Sequence, residues 1–361
     1  VTVEIARLIV VGLVVAVSVV YYRRVAGGPS SPRKSARRAE ALGFLPQSAQ
    51  NTLYSASDAE LEQAARAAAS RGSWEPAARL LARTREQRDW ARRSHYANVL
   101  GTHRAAQPGS WLDAWEKSAG PDDPDAALVR ARATVSLAWH LRGGGWAKDT
   151  SREQVSGFIS TLTQAPRLNA HALKVNPDGD PSPYISEIWT ALGLNHPHER
   201  MHRIWEEVTA RDPHHFGAHS AALQYWCAKW HGSENLAASF AREAAAKAPA
   251  GRLLAALPLI AWYEHRDSAA KGDDFREPYV FDMVDAALTD VSAAPPDHPD
   301  VPAVRHLLAY FLTRQNRCAE ALQQFRLVDG YVNALPWRYY DDPAAVYCLW
   351  RDRAVAGVRT L

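Results

Sequence analysis

Residues 184–213 read YISEIWTALGLNHPHERMHRIWEEVTARDP, and their spacing decides the fold class. Ile185, Ile188, Trp189 and Leu192 fall at i, i+3, i+4 and i+7, and Met201, Ile204, Trp205 and Val208 repeat that spacing after a turn at 193–197. Each run is the signature of a helix with one apolar face. Asp212 and Pro213 are expected to open the next helix as N-cap and first residue, since proline lacks only an N–H that would be unpaired there. A second pair runs from His214 to Trp230, stops at Gly232, restarts with Ser233 as N-cap and ends at Pro249. Two such pairs in tandem predict a stack of helical hairpins.

Toward the N-terminus, a helix is expected from Ser57, with Ser57 and Glu60 as a capping box, to about Gly72. Gly-Ser-Trp recurs at 72–74 and 109–111, and Gly-Gly-Trp follows at 144–146. Intervals of about 35 residues are those of helical repeats, because one pair cannot bury its apolar stripe alone. Asp89 and Asp123-Pro124 mark further helix starts, and Val155, Phe158, Ile159 and Leu162 stripe one more helix. Toward the C-terminus, Leu253 to Tyr263 reads as an apolar helix kinked by Pro258. Phe281, Val284, Leu288 and Val291 stripe the next, 301–313 and 317–334 form a last pair, and a terminal helix follows Pro343. No strand-like alternation appears.

Ile188, Trp189, Leu192, Met201, Trp205, Val208 and Pro213, together with Leu308, Ala309, Leu312, Ala321, Phe325 and Val328, fit the spacing of the tetratricopeptide repeat, which the chain resembles. The usual close-packing glycine is replaced by Trp189 and Ala309. The stretch from Arg211 to Ser233 is also similar to a segment of uncharacterised actinobacterial proteins, a similarity that implies no activity. The expected fold is therefore all-α: a tetratricopeptide-like α-solenoid over 57–361, preceded by a transmembrane helix at 1–22 and a basic flexible linker at 23–56. Such a solenoid implies a concave groove that holds a protein or peptide partner.

The net charge of +3 hides an asymmetry: residues 23–104 carry 15 Lys or Arg against 7 Asp or Glu, whereas residues from 105 onward carry 26 against 31. The run from Leu8 to Tyr22 is uncharged and long enough to span a bilayer. Arg23, Arg24, Arg33, Lys34, Arg37 and Arg38 follow it, which predicts a C-terminal domain on the cytoplasmic side and attraction to anionic lipid. Three scattered cysteines provide no disulfide framework and fit a reducing compartment. Abundant Ala and Arg and an initial Val predict a bacterial source. The expectation is a single-pass protein of the bacterial cell membrane.

His198-Glu199-Arg200-Met201-His202 satisfies H-E-x-x-H, in which two histidines one turn apart bind zinc and the glutamate activates water. Glu234 is the candidate third ligand, and a zinc-dependent hydrolase or metal-binding protein is the alternative function. Trp205 and Val208 stand where the extended motif needs Gly and His, so an ordinary packed-histidine role is favoured. His214, His215 and His219 could likewise join a metal site or be core histidines. Asn176, Asp178, Asp180 and Glu187 match a calcium-loop template except that Pro181 replaces its glycine, so a turn is expected. The arginine-rich stretch 71–104 contains no nucleic-acid module. The reading is a scaffold or adaptor with no catalysis, no cofactor and no nucleic acid, whose groove residues are nominated as His202, Arg203, Glu206, Tyr225 and Lys229.

Overall fold

The computed structural model describes residues 32–144 and 150–358. Within them the protein is all-helical, without strands; one isolated parallel bridge joins Asn51 and Tyr331. No helix among the described residues is long and apolar enough to cross a membrane, and the span expected at 1–22, with Arg23 and Arg24, lies outside them. The chain divides into two compact units, 56–308 and a second built from 1–55 with 309–361.

The larger unit begins with α1 (Ala59–Arg71), α2 (Glu75–Gln87) and α3 (Trp90–Leu100), followed by α4 (Trp111–Ala119) and the long α5 (Pro124–Arg142). Asp89 and Asp123 cap α3 and α5 through their side chains, as expected. The first cap lies one residue later than expected: the Asp58 carboxylate, not Ser57, accepts from Leu61 N–H. Of the recurrent tryptophans, Trp74 and Trp111 both stack on Trp115, at 5.9 Å and 6.0 Å, while Trp146 lies outside the described residues. These stacked rings fill space between the helices of the first pairs.

Then come α6 (Arg152–Leu162), α7 (Ala165–Val175), α8 (Ser182–Gly193), α9 (His198–Arg211), α10 (Phe216–Trp226) and α11 (Glu234–Lys247). Ile188, Leu192, Met201, Ile204 and Val208 are buried where the stripe placed them, but Val155 and Ile159 are exposed and only Phe158 and Leu162 of their stripe are buried. Ser233 caps α11 as expected, while α10 starts later than expected. Asp212 ends α9, and the His215 imidazole, through Nδ1, accepts from Ala218 N–H in place of an Asp cap. The unit continues with α12 (Leu257–Arg266), α13 (Pro278–Ala293) and the start of α14 (Val301–Arg314). Pro258 sits in the first turn of α12, where its ring clashes with nothing, so it starts the helix and does not kink one. Besides its neighbour α2, α3 touches α5, α8 and α10, contacts that a stack of pairs touching only their neighbours does not require.

In the smaller unit, α15 (Cys318–Val328) and α16 (Pro343–Gly357) join the rest of α14. The basic stretch expected as a flexible tether is here a helix, α0 (Pro32–Ala41), packed on α16. Ala39 and Phe44 are buried, Asn51 N–H donates to Gly330 O at 2.7 Å, and Val332 N–H donates to Asn51 O at 2.8 Å. The Asp329 carboxylate accepts from Leu45 N–H, the Gln50 amide and the Tyr347 hydroxyl, so it stitches the early segment to the late helices. The linker boundary at 56 is thereby corrected from residue 32 onward: apolar side chains and backbone donors in this segment find partners some 280 residues later, beyond the reach of any local sequence signal.

Candidate functional site

The residues of the H-E-x-x-H motif occupy the first turn of α9, whose sequence alternates a buried Met201–Ile204–Val208 stripe with charged positions. His198 Nε2 lies 2.8 Å from the carbonyl oxygen of His231 and must carry the proton to donate to it; its ring stands edge-on to Trp226 at 5.0 Å. His202 rests against the same indole at 5.2 Å. Glu234, the expected third ligand, is ion-paired with Arg266 at 2.6 Å. No group of three or more His, Cys, Asp or Glu among the described residues could hold a metal ion. This geometry lends the metal alternative no support: Glu234 is engaged by Arg266, and the bond from His198 Nε2 to a carbonyl leaves only Nδ1 of that ring as an acceptor.

The histidines tie turns together. His231 Nε2 meets Leu192 O at 2.7 Å, and the Tyr225 hydroxyl donates to His196 O at 2.6 Å. Together with the bond from His198, these link the turn after α8 to the turn after α10. Tyr225, nominated for the groove, is fully buried and does this structural work instead, and burial raises its hydroxyl pKa. His219 is a core residue, edge-on to Trp205 at 4.7 Å with Nδ1 bonded to His215 O, and burial pulls it down to about 4. Lys229 is an exposed residue, but its ammonium pairs with the buried Glu264 carboxylate at 2.6 Å, which also accepts from Gln224. Of the nominated set, His202, Arg203 and Glu206 stand exposed on one side of α9, and neither Arg203 nor Glu206 makes an ion pair with a described residue. Arg33, Lys34, Arg37 and Arg38 are also exposed, on the side of α0 opposite buried Ser35 and Ala39.

Two further constellations invite a chemical reading. Ser94 Oγ lies 3.1 Å from His215 Nε2 and 2.8 Å from Ser182 Oγ. Because His215 Nδ1 accepts the Ala218 N–H, Nε2 carries the proton, so the imidazole cannot take one from Ser94 and the pair is no nucleophile–base dyad. Burial lifts the Cys227 and Cys348 thiols to about 12, far from thiolate reactivity. The turn 176–180, read as a failed calcium loop, instead closes on Arg93. That guanidinium, with no exposed surface, donates to Asp180 at 2.7 Å, Asp125 at 2.6 Å, Asn176 at 2.6 Å and Leu81 O at 3.1 Å. Asp125 is held somewhat above the ordinary carboxylate range by desolvation, which Arg93 and Arg85 oppose. Reading the sequence missed Arg93 because it sits within an arginine-rich stretch that looks like a solvated helix face; the one available signal was the pair Asn176 and Asp180 followed by Pro181 where a metal loop needs glycine.

The chain matches no protein-family model, and no curated protein or solved structure matches it. The tetratricopeptide resemblance is thus one of spacing: Leu308, Ala309, Leu312, Ala321, Phe325 and Val328 are buried, whereas in the central unit Trp189 and Trp205 are only partly buried and Pro213 is exposed.

Proposed function

We propose that the protein is a membrane-attached helical-repeat scaffold or adaptor, solenoid-like in construction and without catalysis, that binds a protein or peptide partner. The observation that carries this reading is the side of α9 where His202, Arg203 and Glu206 stand exposed on a helix anchored by buried Met201, Ile204 and Val208, with neither Arg203 nor Glu206 ion-paired to a described residue. Elsewhere in the larger unit several cations are paired, as in Arg130 with Asp113 and Glu116 or Arg266 with Glu234. Charged groups held in fixed positions without an internal partner offer complementarity at little ordering cost. Attachment rests on the apolar run 8–22, with Arg23 and Arg24 and the exposed Arg33, Lys34, Arg37 and Arg38 of α0 facing anionic lipid on the cytoplasmic side of a bacterial cell membrane.

The test places a photo-crosslinking residue at 203 or 206 in the full chain, in cells. One defined partner crosslinked at both positions, and lost in an Arg203→Glu, Glu206→Lys variant that still folds, is the expected result. Equal capture by the variant, or no defined product at either position, would refute the reading. A reporter after Leu361 active only outside the cytoplasm would overturn the orientation.

A further inference from the structure

We propose that a cleft between α5 and α8 binds a carboxylate carried on an aromatic body. One face of α5 and the residue just past its end supply Arg132, Ser136, Trp139, His140 and Gly143, and α8 supplies Trp189 from the other side. The spacing i, i+4, i+7, i+8, i+11 is one helical stripe, so a single element presents the whole polar set. The cleft measures about 440 Å³, the size of a small-ligand site. This site is separate from the α9 face and does not depend on the partner-binding reading.

The charge balance selects the ligand. Among the described residues, no Asp or Glu lines the cleft. Arg132 directs Nε, at 2.8 Å, and Nη2, at 2.5 Å, onto one neutral atom, Asn98 Oδ1, and makes no ion pair with a described residue. Nη1 and the outer N–H of Nη2 are therefore open to an acceptor, in the parallel geometry that suits a carboxylate. Desolvation, with no carboxylate to offset it, lowers Arg132 to about 10. An anionic ligand would supply the missing counter-charge. Beside it, the His140 ring is stacked on His103 with centroids 3.7 Å apart, and Arg104 adds to the positive surroundings of that pair.

The walls select the rest of the ligand. Trp139 is held edge-on by Phe158 at 5.0 Å, Trp230 at 5.3 Å and Trp189 at 6.2 Å, so its ring is pre-positioned. Two glycines allow this approach. A Cβ at Gly101 would stand 2.7 Å from Arg132 Cγ, and one at Gly193 would collide with Leu162 and Phe158. Indole walls with a guanidinium at one end fit a flat apolar body ending in a carboxylate, and the Arg142 guanidinium, 5.8 Å from the Trp139 ring centroid, adds to the positive surroundings.

The shared chemistry could come from a free aryl acid or from the C-terminal residue of a peptide, and the experiment separates them. The full chain in detergent is titrated, by tryptophan fluorescence and by calorimetry, with 3-phenylpropionate, with a hexapeptide ending in phenylalanine, and with the same hexapeptide amidated. We expect saturable binding of at least one carboxylate probe, weakened about tenfold or more by amidation or by Arg132→Gln, with Arg132→Lys between, as loss of a charge-assisted fork requires. The acid alone binding identifies a small-molecule site; the peptide alone identifies a terminus-binding site. No saturable binding of any probe at millimolar concentration, or equal affinity of peptide and amide, would overturn the proposal. If Arg132→Gln does not fold, the amide comparison on the unaltered chain still decides.

Discussion

Arg93 on α3 and Arg132 on α5 are the same side chain in adjoining helices of one unit, and they end in opposite circumstances. Arg93 is fully buried and meets two carboxylates, an amide and a carbonyl; Arg132 is partly buried and meets one neutral oxygen. The difference lies in what the neighbouring helix starts provide. Asp125 enters the first turn of α5, and Asp180 closes the turn before α8, so both acids arrive at Arg93 by local capping geometry. Among the described residues, Arg132 meets no carboxylate, only the Asn98 amide oxygen. A saturated guanidinium is a structural rivet, and an unsaturated one keeps binding capacity.

That contrast predicts the largest effect. Arg93→Ala should cost about 3–5 kcal/mol, because Asp125 and Asp180 would be left buried without their cation. Arg132→Gln should change stability by less than about 1 kcal/mol, the usual range for a site whose neighbours lose little. Urea denaturation of both variants measures the gap, and equal losses would break the comparison.

A smaller effect should appear on acidification. His219 has a native pKa of about 4, below its unfolded value, so the unfolded state binds more protons between those values. Stability contributed by the neutral imidazole is complete above the ordinary histidine pKa of about 6.5, is lost as pH falls, and levels off below the native value; the total is on the order of 3 kcal/mol. His219→Phe should flatten this slope in a pH series of melts; an unchanged slope would assign the acid sensitivity elsewhere.

Backbone packing comes next. A Cβ on Gly232 would collide with the backbone of Trp226, so Gly232→Ala should cost about 1–3 kcal/mol by overpacking, read by thermal melting. No loss would show that the turn after α10 can open. The smallest effect belongs to the H-E-x-x-H residues. A His198→Ala, His202→Ala variant should lose only about 0.5–1.5 kcal/mol, the worth of one hydrogen bond with its ring contacts, and its zinc content by elemental mass spectrometry should equal that of the unaltered chain. Stoichiometric zinc lost in the variant would reinstate the metal reading.

Much of this architecture was legible in residue spacing. The helices around 184–249, the caps at Asp89, Asp123 and Ser233, and the buried positions Ile188, Met201 and Leu308 all follow from patterns within a few turns of chain. The candidate site was legible only in part. Arg203 and Glu206, nominated for the groove, stand exposed on α9, but Tyr225 turned inward, because its hydroxyl has the His196 carbonyl to satisfy it. The H-E-x-x-H match was literal in sequence, and in the fold His198 Nε2 meets the His231 carbonyl while Glu234 pairs with Arg266. Arg132 was not singled out at all, because an arginine one turn from small residues looks like any exposed cation until the absence of a nearby acid is known.

The sequence by itself determined the helices, their starts and their apolar faces, since a 3.6-residue period and a cap are properties of a few consecutive residues. The tertiary structure alone decided that 32–55 folds onto 309–358, that Arg93 is saturated, and that Arg132 is left beside a ring of indoles. Those outcomes depend on which groups meet across tens to hundreds of residues, and the free energy of burying a charge or a donor is set by the partner it finds there and not by its neighbours along the chain.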